Sequence, residues 1–153
     1  MMRELLIFLL GVMLGIGIGY FGESLVRPYV SSYSFPSTLT LTANTNSTTL
    51  TVGESVTMKA TLTTTIPSEL SSLKSQLEQI ALNNKPIMLE MKYGNSTYWQ
   101  IVDTKYTVFG VEEGSCIFMF TFQSSGTYVF KAVFQGDNLL QPSESQQLTF
   151  TVS

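Results

Sequence analysis

The sequence predicts an all-β fold: an antiparallel β-sandwich of seven or eight short strands, preceded by an N-terminal transmembrane helix and interrupted by a short helical insertion. Three observations carry that expectation. From Thr38 onward apolar and polar residues alternate, the pattern of a strand with one buried face. Turn signals divide the alternation at regular intervals. The first 22 residues obey a different rule and are almost continuously apolar.

Residues 5–22 contain no charge, and Glu4 and Glu23 bound them. As a helix they span about 27 Å, slightly less than the hydrocarbon thickness of a bilayer, with Tyr20 and Phe21 at interfacial depth. A cleaved signal peptide is the competing reading, but its apolar region is usually shorter and ends in an A-x-A-like site. Only Gly17-Ile-Gly19 and Gly22-Glu-Ser24 approach that pattern. Residues 1–22 are therefore read as a signal-anchor of a single-pass membrane protein. A slight positive excess from Arg3 and the amino terminus puts the N-terminus inside and the remainder outside; cleavage would make the chain secreted. Gly11, Gly15 and Gly19 lie four apart and share one helix face, where small residues allow self-association or docking on a partner helix. Gly17 and Gly22 lie off that stripe and reflect the general abundance of Gly in membrane helices.

Residues 23–37, with Pro28, Pro36 and a Ser/Tyr-rich middle, form an extended stalk. The sandwich covers residues 38–153. Its strands are marked by Leu39 and Leu41, by Leu50 and Val52, and by Val56, Met58, Ala60 and Leu62 alternating with Thr and Lys. Then come Ile87 to Tyr93, Thr97 to Thr104, Cys116 to Phe122, Tyr128 to Phe134, and Leu148 to Val152. Cys116, on an apolar face, reads as a small core residue. As the sole cysteine it leaves the sandwich without an internal disulfide.

The run Thr51-Val-Gly-Glu-Ser-Val-Thr-Met-Lys-Ala-Thr-Leu62, with Gly126-Thr-Tyr128, Ala132-Val-Phe134, Gly136-Asp137 and Pro142-Ser143, resembles the bacterial and archaeal immunoglobulin-like repeat domains of surface proteins. The resemblance spans residues 38–153. Its signature is Tyr128, Phe130, Phe134 and Asp137, with Tyr128 placed like a tyrosine corner two residues before the position of the second antibody cysteine. The Cys…Trp…Cys triad of antibody domains is absent, and Trp99 comes too late to supply it. The resemblance implies a spacer, adhesive or structural role at a cell surface, rarely catalysis, and suits an archaeal surface.

Residues 67–82 depart from that pattern. Leu70, Leu73, Leu77 and Ile80 share one helical face, Pro67 stands near the start, and Asn83-Asn84 mark the stop. Two readings follow: a helix that covers one open end of the sandwich, favoured because such a stripe normally finds its own core, and a helix presented to a partner.

Other candidates are modest. Asn46-Ser-Thr48 and Asn95-Ser-Thr97 are N-glycosylation sequons in predicted loops, at the frequency a Ser/Thr-rich chain produces by chance. Tyr98, Trp99 and Tyr106 suggest an aromatic platform for sugar, and Glu112, Glu113 and Asp137 suggest calcium. Strand packing and turn chemistry account for both sets. There is no His, no G-x-S-x-G and no phosphate loop, and the net charge of −3 offers no basic surface for nucleic acid. The expectation is a non-catalytic protein with no cofactor, no metal and no small-molecule substrate. Its partners would be membrane lipid and a protein at the cell surface, or a second copy through the transmembrane helix. The leading reading is a membrane-anchored surface protein with a structural or adhesive role. The alternatives are an accessory subunit of a membrane complex and a signal-cleaved filament subunit assembled by strand donation.

Overall fold

The computed structural model describes residues 34–153. The expected membrane helix, with Gly11, Gly15 and Gly19, and the stalk as far as residue 33 lie outside the described residues. Along the chain run β1 (Ser37–Ala43), β2 (Thr49–Leu50), β3 (Ser55–Thr64), a 3-10 helix (Ser68–Leu73) leading into α1 (Lys74–Leu82), β4 (Pro86–Tyr93) and β5 (Gln100–Tyr106). Then come β6 (Val108–Phe109), β7 (Gly114–Thr121), β8 (Gly126–Phe134), β9 (Ser143–Glu144) and β10 (Leu148–Val152).

Two sheets form, one in the order β1-β3-β7-β6 and the other β2-β10-β8-β4-β5, with β9 extending the β10 position along β8. Every strand pairing is antiparallel except β2 with β10, which is parallel. This is the strand order of an immunoglobulin-like sandwich: A-B-E-D facing G-F-C-C′, with β2 as a parallel strand beside G. Alternation is the cause. Leu39, Leu41, Val56, Met58, Ala60, Leu62, Phe118, Phe130 and Phe150 all turn inward to one core, while the intervening threonines face out.

Three details differ from the sequence expectation. Val52 lies outside β2 and is 49% exposed, because the chain turns at Thr51–Glu54 through the Glu54 N–H to Thr51 carbonyl bond. The strand expected from Thr97 begins only at Gln100. There the Ser96 hydroxyl accepts from the Tyr98 N–H and competes with the ladder. Phe120 and Leu148 are packed against the core and only partly buried.

The insertion is one continuous helix in the sequence reading and two pieces in the structure. Leu70 takes φ −108° and ψ 15°, a kink inside the 3-10 segment, and Leu73, at φ −116° and ψ 9°, breaks the helix again where α1 begins. Leu70 and Leu77 are buried in the core and Leu73 packs against it, so these three side chains are taken up by the domain itself. The two breaks shift the phase of α1. Its buried face is Leu77, Glu78, Ala81 and Leu82, and Ile80 is turned out at 44% exposure.

Candidate functional site

A groove of about 520 Å³ runs between the helical insertion and the β6–β7 turn, lined by Ser71, Ser72, Lys74, Ser75, Glu78, Phe109, Gly110, Val111 and Glu112. Its walls are held by Thr107, which is 2% exposed. The Thr107 hydroxyl donates to the Leu82 carbonyl at the end of α1 (2.6 Å) and accepts from the Lys85 N–H (2.8 Å). Its backbone N–H donates to the Lys85 carbonyl, and its own carbonyl accepts from the Asn84 N–H. Asn84 adopts φ 59°, the left-handed conformation that ends helices. One threonine thus ties the end of α1 to the strand leading into the turn. Gly114, the first residue of β7, presses the same helix end. A Cβ there would lie 2.2 Å from the Leu82 carbonyl oxygen, so only glycine fits.

Within the groove Glu78 is 4% exposed. It makes no hydrogen bond or ion pair among the described residues, and its carboxylate oxygens keep their contact with solvent. Glu112, with φ 64°, faces Lys74 across the mouth at 3.5 Å, a solvated pair that contributes little. Val111 projects from the turn at 90% exposure. The sequence reading passed over Glu78, Lys74, Phe109 and Val111. For Glu78 the available signal was its place beside Leu77 and one turn from Leu82, a face visible only once the breaks at Leu70 and Leu73 reset the period.

A second feature lies on the outer face of the β10-β8-β4-β5 sheet. Lys92 and Lys131 approach the Trp99 ring at 4.6 and 4.4 Å, a pair of cation–π contacts. Lys131 also reaches Glu144 at 2.8 Å and Glu90 at 3.9 Å. Tyr98, 81% exposed, stands just before β5, and Tyr106, 58% exposed, is its last residue. A strand of that length holds them on the order of 20 Å apart. The three aromatics are therefore not brought together into one platform.

The remaining candidates are placed as follows. Asn46 lies in the β1–β2 loop and Asn95 in the turn after β4, both exposed. The Tyr128 hydroxyl donates to the Ser124 carbonyl at 2.7 Å, the hydrogen bond of a tyrosine corner. Its ring meets Tyr93, Phe122 and Phe120. Burial, then the neighbouring Tyr93, raises the Tyr128 hydroxyl pKa above its ordinary value, with the Ser124 bond opposing. Phe130 and Phe134 are core. One Asp137 carboxylate oxygen accepts from the Leu139 and Leu140 N–H groups, and the other pairs with Lys85. Asp137 is thus a turn lock, and Glu112 and Glu113 pair with Lys74 and Lys59. No cluster of three metal-ligating side chains occurs among the described residues. Burial, reinforced by Asp103 and opposed by Lys105, pushes the Cys116 thiol up from 9.0 to about 11.

The described residues define an immunoglobulin-like β-sandwich with an acidic groove at one end. No protein-family model matches the chain, and no curated protein matches it. Among solved structures it is similar to a superoxide reductase (neelaredoxin) from Ignicoccus hospitalis, at 11% identity and TM-score 0.45, covering 76% of this chain and 80% of that one. It is also similar to a CARDB domain from Pyrococcus furiosus, at 8% identity and TM-score 0.46, covering 78% and 95%. A PKD domain of an M14-like peptidase from a Thermoplasmatales archaeon aligns at 20% identity and TM-score 0.37, covering 77% and 94%. The fold assignment rests on the strand order and register of this chain, and no activity passes to it from these three.

Proposed function

We propose that this chain is a membrane-anchored cell-surface protein whose immunoglobulin-like domain has a structural or adhesive, non-catalytic role. The observation that supports this most is the joint where the stalk meets the domain. Phe35, 5% exposed, donates its N–H to the Leu139 carbonyl (2.7 Å) and accepts from the Gln141 N–H (2.9 Å), a parallel bridge centred on Leu140. The Ser37 hydroxyl adds a bond to the Gln141 carbonyl. Tension along a stalk would therefore enter a rigid body and not a loose tail. The apolar stretch at residues 5–22 supplies the anchor in lipid, and exposed Asn46 and Asn95 are open to glycosylation outside the cell. Alkaline carbonate extraction and protease treatment of intact cells test the reading. The expected result is a membrane-retained chain whose domain is accessible from outside. Release by carbonate, or a mature N-terminus near Tyr20 or Leu25, would overturn the anchor.

An accessory subunit of a membrane complex is the second reading, favoured by the open acidic groove. Gly11→Leu, Gly15→Leu and Gly19→Leu together should then abolish co-purification of the partner; unchanged co-purification and oligomeric state would sink it. Strand donation is not favoured, because β8 is flanked by β4 on one side and by the chain's own β10 on the other.

A further inference from the structure

We infer that the groove at Glu78 is a binding site for an organic cation on an apolar stem, the chemistry of an arginine or lysine side chain presented by a partner or of a free alkylamine. Glu78 is the reason. A side chain at 4% exposure with a carboxylate and no partner among the described residues is unusual, since a buried charge is ordinarily paired or hydrogen-bonded. Its oxygens still reach solvent, and the residue lines a groove of about 520 Å³, so the carboxylate is presented to whatever enters. A cation arriving there donates charge-assisted hydrogen bonds to oxygens that have no competing donor among the described residues.

The rest of the groove selects the shape of the ligand. Phe109 and Val111 offer apolar surface along which a methylene stem lies, as long cationic side chains do. Ser71 and Ser75 are small and leave room beside the carboxylate. A bare divalent ion fits poorly: the volume is large and no trio of metal ligands converges among the described residues. Among the described residues Lys74 is the one cation lining the groove, and it is turned to Glu112, with its side chain 48% exposed. The walls are fixed in advance by Thr107 and Gly114, so little ordering is needed on binding. All the residues of the site lie within the described domain, and it is tested independently of the anchoring reading.

The test is an amide-resolved NMR titration of the full chain in detergent micelles, using agmatine, an end-blocked Gly-Arg-Gly tripeptide and, as a neutral control, n-pentanol. Saturable shifts should be confined to Ser71, Ser75, Glu78 and Val111. The affinity should fall at least about tenfold in Glu78→Gln and rise in Lys74→Gln, which removes a competing cation. Binding of the tripeptide assigns the site to a protein partner. Binding of agmatine alone assigns it to free amines, and either supports the cation site. Shifts scattered over the surface, equal shifts with n-pentanol, or undiminished binding in Glu78→Gln would overturn it. Should Glu78→Gln fail to fold, the contrast between agmatine and n-pentanol on the unaltered chain decides alone. A negative result here leaves the anchoring reading untouched, since carbonate extraction does not depend on the groove.

Discussion

The Gln146 carboxamide meets Leu41 as a neighbouring strand would, accepting from the Leu41 N–H at 3.3 Å and donating to the Leu41 carbonyl at 2.5 Å. β1 is the edge of its sheet, and an unpaired edge is a template for unwanted pairing. One side chain from the β9–β10 connection occupies that edge at Leu41. Gln146→Leu should lower stability by about 1–2 kcal/mol in urea titrations, with Gln146→Glu between it and the parent, because a carboxylate can accept from Leu41 but not donate to it. Three superimposable unfolding curves would show that the staple contributes nothing.

Thr107 holds the end of α1 through its hydroxyl, so Thr107→Val keeps the shape and removes the bonds to Leu82 and Lys85. Each group left buried without a partner costs about 1–3 kcal/mol. We expect a drop of that order, together with faster hydrogen exchange at Lys85. Thr107→Ser should retain most of the stability.

Gly114→Ala is a test of close approach. The added methyl would collide with the Leu82 carbonyl oxygen, and backbone cannot yield as a side-chain tip can. Overpacking of this kind costs about 1–3 kcal/mol. A melting temperature equal to the parent's would mean the helix end moves freely from the sheet.

Cys116 should be silent toward thiol reagents at pH 8 in the folded protein and fully reactive in denaturant, as its burial and its raised pKa of about 11 imply. The sign of the pH dependence follows. With the folded value above the unfolded one, the thiol's contribution to stability is complete below about pH 9 and is lost as pH rises through about 11. Cys116→Ala should lose less stability than the parent between pH 8 and pH 11, and equal losses would place the thiol outside the titration.

The sandwich was legible because alternation is a direct consequence of one-sided burial. Leu39 and Leu41, Met58 to Leu62, and Tyr128 to Phe134 each mark a face without any knowledge of their neighbours. The turn lock at Asp137 and the corner at Tyr128 were likewise visible as local chemistry. What stayed hidden depended on contacts distant in sequence. The Gln146–Leu41 staple joins residues 105 apart, and nothing in the period of either strand announces it. The breaks at Leu70 and Leu73 were equally invisible, since a helical stripe looks the same whether or not it is interrupted. With them went the groove, because Glu78 joins the buried face of α1 only after those breaks.

Trp99 is the sole tryptophan of the chain, and its ring lies against two ammonium groups on the outer face of one sheet and away from the core. Its emission is therefore a native optical probe of that face, sensitive to the local field of Lys92 and Lys131 before any core residue is exposed. Trp99 fluorescence and near-ultraviolet dichroism in the phenylalanine bands read two different layers of the same molecule.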